Sequence, residues 1–272
     1  MSFEGRGAQL NYYPCRYGRS RTVFRGPAVP LDDGYIAVLG GAEVYGRFVE
    51  DPFSDQIADR TGRRVVNLGV MNAGLDVFLS DDALMQVISG AHAVVIQALG
   101  AQNMSNRFYT VHPRRNDRFL RPSDALRMLY RDVDFSDFTF TRHMLMALHS
   151  RCPDRFAALR SELVEAWTAR MRTMLSRIPG RRILLSLESH AGRGLGAEPL
   201  FVTPEMLDEV GHGADRIVRC DVGEMSRRFR LEGMVFPETD REVASHCLPA
   251  PVHEHLAELL IPEVARASDV AA

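Results

Sequence analysis

Lysine is absent from the 272-residue chain, and all 33 basic residues are arginines. This absence excludes a phosphate-binding Walker lysine, a Schiff-base lysine and a lysine general base. Because arginine fills every basic role here, a single arginine carries little information, and only a local cluster points to an anion site. The net charge of -2 argues against a broad nucleic-acid-binding surface.

Cysteine is also scarce, with 4 residues and no C-x-x-C pair. This spacing favours reduced thiols over a disulfide framework, and His246-Cys247 has no second ligand pair to complete a zinc site, so we expect no metal. No apolar run approaches the roughly 20 residues that span a bilayer, and residues 1–9 lack the apolar segment of a secretory signal. The sequence therefore predicts a cytoplasmic protein without a membrane span.

Short apolar runs separated by helical patterns dominate the rest of the chain. Runs that are apolar at nearly every position are typical of parallel strands covered by helices on both faces. They predict a three-layer α/β sandwich with a five-stranded parallel sheet of flavodoxin-like type, formed by one domain at residues 31–272. The predicted strands are residues 35–39, 65–70, 93–99, 182–187 and 217–222.

Two segments depart from this alternation. Residues 1–30 form a basic, aromatic arm with no acidic residue between Glu4 and Asp32, which we expect to lie across the main domain. Residues 104–180 form an insertion after the third strand, with an arginine-rich loop at residues 107–121 followed by helices. No internal repeat is present.

Ligands of doubly wound sheets bind at the carboxyl ends of the strands, next to the point where the strand order reverses. Residues that follow the predicted strands are therefore candidate ligand contacts. They are Gly41, Ala42 and Glu43 after the first strand, Gly69 and Asn72 at the second, Asn103 and Asn106 after the third, and His190 after the fourth.

The placement of these residues resembles the SGNH (GDSL-type) hydrolase superfamily over roughly residues 35–260. Its blocks are G-D-S-x-x-x-G, a glycine after the second strand, G-x-N-D, and a late D-x-x-H. The family positions are held by Gly40, Gly46, Gly69, Asn103 and His253. The arm and the F-Y-x-V-H-P-R-R-N-D-R-F run resemble an uncharacterised bacterial domain family still more closely.

The resemblance implies an oxyanion site built from glycine N–H groups and Asn103, with His253 as the base. The serine position, however, holds Ala42, the aspartate before it is Gly41, and the late aspartate is Ala250. Without a nucleophilic hydroxyl, three alternatives remain open. The site binds its ligand without turnover, His253 promotes direct transfer between two substrates, or a neighbouring group such as Ser105 or Glu43 replaces the serine.

The arginine-rich loop is the second functional signal, because guanidinium groups bind carboxylate, phosphate and sulfate. We predict that His112, Arg114, Arg115 and Arg118 overhang the pocket as ligand contacts, helped by the arginines of the arm. The alternative is that these arginines tie irregular segments down through backbone carbonyls. We interpret a later basic run, residues 226–230, as a solvated helix face.

Together these features predict a protein that binds an anionic acyl or carbohydrate small molecule, as a non-standard acyl transferase or hydrolase of polysaccharide or glycoconjugate. The alternatives are an inactive binding module for sulfated, phosphorylated or carboxylated ligands, and a transferase that uses a nucleotide or phosphosulfate donor. Coenzyme A or a nucleotide is the candidate cofactor, and no nucleic-acid partner is expected. The sequence leaves homo-oligomerisation open.

Overall fold

A five-stranded parallel sheet lies at the centre of the computed structural model, which describes residues 10–32, 34–189 and 194–266. The strands of the sheet are β1 (Ile36–Gly40), β2 (Val65–Gly69), β3 (Ala93–Gln97), β6 (Arg181–Glu188) and β7 (Arg216–Asp221). They occur in the order β2-β1-β3-β6-β7, so the strand order reverses between β1 and β3. This confirms the predicted parallel α/β sheet.

Helices cover both faces of the sheet. Alternate residues of a strand point to opposite faces, and on β1 the side chains of Val38 and Leu39 belong to two separate hydrophobic clusters. We name the two sides of the sheet the Val38 face and the Leu39 face. The helices are α1 (Ala42–Tyr45), α2 (Phe53–Thr61), α3 (Leu75–Leu79), α4 (Asp82–Ser89), α5 (Asp124–Leu129), α6 (Thr141–Arg151), α7 (Pro153–Ser176), α8 (Pro204–Gly211), α9 (Val222–Phe229), α10 (Arg241–Ala244) and α11 (Ala250–Ala265).

The Val38 face is covered by α2, α9 and α11, while α3, α4, α6, α7 and α8 pack on the Leu39 face. The connections from β1 to β2 and from β2 to β3 each contain two short helices instead of one long helix. Gly46 ends α1 at φ 67°, a left-handed conformation that favours glycine, and Pro52 then precedes α2. Asp81 separates α3 from α4 and caps α4, since its Oδ1 accepts the Leu84 N–H at 3.1 Å.

The arginine-rich loop is an antiparallel hairpin of β4 (Tyr109–His112) and β5 (Arg115–Pro122). Its buried Asn116 Oδ1 accepts the N–H groups of Gly74 and Val77, each at 3.1 Å, and so satisfies the start of α3. The hairpin is therefore fixed to the segment that follows β2. In the described residues, no helix is long and apolar enough to cross a membrane.

The arm is attached through Arg25, which is only 7% exposed. Its guanidinium donates to the carbonyl oxygens of Gly46 at 2.7 Å and Val49 at 2.8 Å, and also to that of Glu50. Among the arm arginines that were expected to help bind an anion, Arg25 is instead occupied by backbone carbonyl groups. The other arm arginines, Arg16, Arg19 and Arg21, are exposed.

His253 lies in the first turns of α11, on the Val38 face. It is 1% exposed, and its Nδ1 accepts the Phe53 N–H at 3.2 Å while the two rings stack at 5.8 Å. Burial lowers the pKa of this imidazole to about 3, and the charge of Arg25 adds to the effect. His253 is therefore a neutral acceptor that joins α11 to α2.

We predict that replacing Arg25 by glutamine destabilises the fold by about 2–4 kcal/mol, because several buried carbonyl groups lose their donor. Urea unfolding of Arg25→Gln measures this loss. The exposed arm residue Arg21 offers the matched control, since Arg21→Gln should leave stability within about 0.5 kcal/mol of wild type. Equal stability of the two variants would contradict the carbonyl contacts.

A second prediction concerns His253→Asn, which keeps an acceptor near Nδ1 but cannot titrate. Because the native pKa lies below the ordinary value of 6.5, the unfolded chain binds the extra proton, and wild-type stability falls as the pH drops below that value. Between pH 7 and pH 5 the wild type should lose about 2 kcal/mol more than the variant. Urea unfolding at both pH values provides the measurement, and parallel losses would show that the imidazole is not buried as a neutral base.

Candidate functional site

A cleft of about 1230 Å³ opens at the carboxyl edge of the sheet, where the strand order reverses. The first turn after β1 and the segment after β3 form its floor. Residues 222–248 form the wall on the Val38 face, since Val222 and Leu248 pack in that cluster. The opposite wall contains Asn72, Gln102, Asn103, Asp117, Phe140, Thr141, Arg142 and Glu198.

Glu43 is held at this edge by the buried side chain of Gln97. The Gln97 Oε1 accepts the Gly41 N–H at 2.8 Å, and its Nε2 donates to Glu43 Oε2 at 3.0 Å. One amide therefore fixes both the turn after β1 and the carboxylate on the first turn of α1. Glu43 is half-buried and lines the cleft, with one oxygen engaged by Gln97.

Asn103 also lines the cleft and is buried, but its amide bonds to the protein. Its Oδ1 accepts from Thr141 Oγ1 at 2.8 Å, and its Nδ2 donates to the Asn72 carbonyl at 3.4 Å. The side chain thus connects the segment after β3 to α6 and to the segment after β2. The structure brings five of the predicted site residues to the cleft, namely Gly41, Ala42, Glu43, Asn72 and Asn103.

Asn103 and His253 were expected to meet, and the structure does not bring them together. Asn103 contacts α6, which packs on the Leu39 face, whereas His253 packs against α2 on the Val38 face. His253 does not line the cleft, and both its ring stacking and its hydrogen bond are made with Phe53 in the core. This corrects its assignment as a base at this site.

Two further predicted contacts have structural roles outside the cleft. At Gly69, a Cβ atom would lie 2.2 Å from the Tyr45 backbone nitrogen, so this glycine allows α1 to pack on β2. Asn106 turns the chain into the hairpin, because its Oδ1 accepts the Phe108 N–H at 2.8 Å. The nearby alternative nucleophile Ser105 is likewise occupied, since its Oγ accepts the Val111 N–H at 3.1 Å.

The hairpin side chains that were predicted to overhang the pocket do not line it. His112 Nδ1 accepts the N–H groups of Arg114 and Arg115, each at 3.2 Å, and thereby stabilises the hairpin turn. Both arginines are exposed at that turn, and the Arg118 guanidinium lies 5.2 Å from the centre of the Phe140 ring. From the hairpin, Asp117 reaches the cleft instead. The predicted contact His190 lies outside the described residues.

The basic side of the cleft comes from the segment between β7 and α11. Arg227, Arg230 and Arg241 line it together with His246. Arg241 pairs with Glu238 at 2.9 Å, whereas Arg227 and Arg230 form no ion pair with any residue that the structure describes. Within the run interpreted as a solvated helix face, the arginines are indeed exposed, and Ser226, Arg227 and Arg230 also line the cleft.

A signal for His246 was present in the sequence. Pro249 and Pro251 mark the beginning of the last helix, so the residues just before them, rather than those inside the helix, occupy the loop at the carboxyl edge. His246 lies in that loop and lines the cleft, while His253 lies within the helix. His246, and not His253, is therefore the histidine that lines the cleft.

Two titratable groups of the cleft are affected by burial. The pKa of the Cys247 thiol is raised to about 11, chiefly by burial, so this sulfur remains protonated and is a poor nucleophile. Burial also raises the pKa of Asp117, although Arg118 and Arg115 act in the opposite direction. Among the described residues, no group of three or more side chains could hold a metal ion.

The cleft is wide and has a basic wall and a polar wall, and between them Gln97 holds the Glu43 carboxylate in place. One similar solved structure is a variant of the N-formylmaleamic acid deformylase from Pseudomonas putida, with 12% sequence identity and a TM-score of 0.25. The similarity covers 78% of this chain and 92% of that one, and at this TM-score it carries no argument about function. No curated protein matches the chain significantly.

The model of one family matches residues 1–268, which is nearly the whole chain. That match confirms the expected resemblance to an uncharacterised domain family, whereas the SGNH resemblance stays a prediction. The chain belongs to the family described as domain of unknown function DUF6473.

Proposed function

We propose that the cleft binds a small anionic molecule with an acyl or carbohydrate body, and that the anionic group lies against Arg227 and Arg230. The observation that carries this proposal is the placement of these two arginines in the cleft wall without an acidic partner among the described residues. Guanidinium groups bind carboxylate and phosphate through paired N–H donors. Coenzyme A or a nucleotide donor would present its phosphates to the same wall.

The sheet supports the finer fold assignment. Numbered along the chain, its strands have the order 2-1-3-4-5, which is the flavodoxin-like order with a ligand crevice at the reversal point. Gly41 and Ala42 after β1 and Asn103 after β3 lie in one cleft, which is part of what the SGNH resemblance implies, whereas His253 lies outside it. This favours a transferase or hydrolase site on an SGNH-like sheet.

Glu43 is the group we propose as the base. With Ala42 in place of a nucleophile, a covalent acyl-enzyme has no attacking oxygen at this position, so the reaction is a direct transfer. A water or an acceptor hydroxyl attacks the acyl carbon and its proton passes to the Glu43 carboxylate. The bond from the acyl carbon to the ester oxygen or to the coenzyme A sulfur then breaks, and Glu43 or solvent protonates the leaving atom. The hydrogen bond from Gln97 Nε2 orients this carboxylate and engages only one of its two oxygens.

A binding module without turnover is the second candidate, and Ala42 favours it. In that case the cleft recognises the same anionic ligand, and Glu43 acts only as a hydrogen-bond acceptor. The two candidates make the same prediction for the arginines and different predictions for Glu43.

We predict that the double variant Arg227→Gln/Arg230→Gln weakens the binding of glucuronic acid, glucose 6-phosphate or acetyl-coenzyme A at least tenfold. Isothermal titration measures the change, and wild-type affinity should fall as salt is added, because exposed charges are screened. Arg114→Gln/Arg115→Gln, at the hairpin turn, is the matched control and should bind as wild type does. Loss of binding in the hairpin variant alone would contradict this proposal and show that the anion binds at the hairpin.

The catalytic candidate predicts that Glu43→Gln lowers turnover of acyl-coenzyme A and activated esters at least a hundredfold, since the amide cannot take the proton. The exposed Glu50 provides the control substitution Glu50→Gln, which should retain full activity. Steady-state rates of both variants and wild type on a panel of activated esters and acyl-coenzyme A thioesters show whether Glu43 acts as a base. Ligand binding by wild type with no turnover on any substrate would favour the binding module.

A further inference from the structure

A large aromatic side chain is exposed in the wall of the cleft on the Leu39 face. Phe140 lines this wall, and 44% of its surface is open to solvent. Small-molecule sites are lined mostly by apolar and aromatic groups, because binding removes their surface from water. The Phe140 ring therefore offers a ligand in the cleft a flat apolar contact.

The hairpin and α6 hold Phe140 in this position. On one side, the Phe119 N–H of the hairpin donates to the Thr139 carbonyl oxygen at 3.0 Å. On the other, the Phe140 carbonyl oxygen accepts the Met144 N–H at 3.1 Å and begins α6. The Arg118 guanidinium lies over the ring, 5.2 Å from its centre, and does not line the cleft. The hairpin therefore supports the ring from outside the cleft and leaves its cleft side free.

The polar side chains that follow Phe140 in this wall are engaged by the protein itself. Thr141 Oγ1 donates to Asn103 Oδ1 at 2.8 Å, and Arg142 pairs with Glu198. A ligand body with many hydroxyl groups would have to compete with these bonds, whereas a flat ring stacks on an aromatic side chain without needing them. This part of the wall therefore favours an aromatic ring over a polyhydroxylated body.

The size of the cleft favours an elongated ligand that contacts both walls. Its volume of about 1230 Å³ is above the roughly 300–1,000 Å³ of most small-molecule pockets. Phe140 lies in one wall, and Arg227 and Arg230 lie in the opposite one. A nucleotide has the matching arrangement, with a flat base at one end and phosphate at the other. Any base can stack on an aromatic side chain, because every base has a flat π-face.

We propose that the ligand is a nucleotide conjugate whose base stacks on Phe140 and whose phosphate lies against Arg227 and Arg230. This inference rests on the proposed function, which places the anion at the basic wall. It adds that the acyl or carbohydrate body is carried on a nucleotide, and it assigns Phe140 as the residue that selects for the base.

AMP and ribose 5-phosphate provide the test, because they share the ribose and its phosphate and only AMP carries a base. We expect AMP to bind wild type at least tenfold more tightly by isothermal titration, since stacking adds to the phosphate contact. Equal affinities would overturn the inference while leaving the anion site intact, because both probes carry the phosphate.

Substitutions at Phe140 assign the preference for AMP to this residue. Phe140→Leu keeps an apolar side chain without a ring and should reduce the preference at least fivefold, while Phe140→Trp keeps an aromatic face and should retain it. Tyr13→Leu, at an exposed aromatic residue of the arm outside the cleft, is the matched control and should leave the preference unchanged. If Phe140→Leu does not fold, Phe140→Trp decides, because loss of the preference in that variant would contradict stacking.

The outcomes separate the inference from the function on which it rests. A full preference for AMP in Phe140→Leu would overturn the role of Phe140. Equal weakening of AMP and ribose 5-phosphate in that variant would show that the ring packs on the sugar, and it would overturn base stacking. If neither probe binds while glucose 6-phosphate binds through Arg227 and Arg230, the inference fails and the proposed function stands. If no anionic probe binds, both fail.

Discussion

The candidate site depends on two hydrogen bonds of the Gln97 side chain, which accepts from the Gly41 N–H and donates to the Glu43 carboxylate. Gln97 ends β3 and Gly41 follows β1, so one buried amide joins the two strands between which the strand order reverses. A polar side chain in this buried position requires partners, and both of its partners belong to the floor of the cleft. The position of the Glu43 carboxylate is thus tied to the sheet through Gln97. If Glu43 moved away, the Gln97 Nε2 group would lose this hydrogen-bond partner.

The environment of each arginine distinguishes the structural ones from those at the site. Arg25 has a buried guanidinium that several backbone carbonyls occupy, and Arg118 lies against an aromatic ring. Arg227 and Arg230, in contrast, line a cleft without an ion-pair partner in the described part of the chain. In a chain without lysine, these contacts identify the basic wall more clearly than the density of arginines along the sequence.

The sheet could be predicted because each of its strands is an apolar run, and burial on both faces leaves that mark on the sequence. The hairpin was missed because arginines at its exposed positions obscure the alternation of buried Tyr109, Val111 and Phe119. Five of the eight residues predicted from the strand ends line the cleft, including Glu43 and Asn103. The arginines that follow β7 are exposed, as expected for a solvated helix face, but the sequence does not show that this face borders the cleft.

The choice between His246 and His253 shows the limit of motif spacing. Spacing placed the functional histidine inside the last helix, where burial against Phe53 makes it part of the core. Pro249 and Pro251 mark where this helix begins, and the fold shows that the loop before it lines the cleft.

A crystal structure of the protein with D-glucuronate bound is the most direct measurement of the central claim, that the cleft at the carboxyl edge holds an anionic ligand against its basic wall. The account predicts the carboxylate within hydrogen-bond distance of Arg227 or Arg230. A carboxylate bound at the hairpin turn, or a ligand that lies outside the cleft, would contradict it.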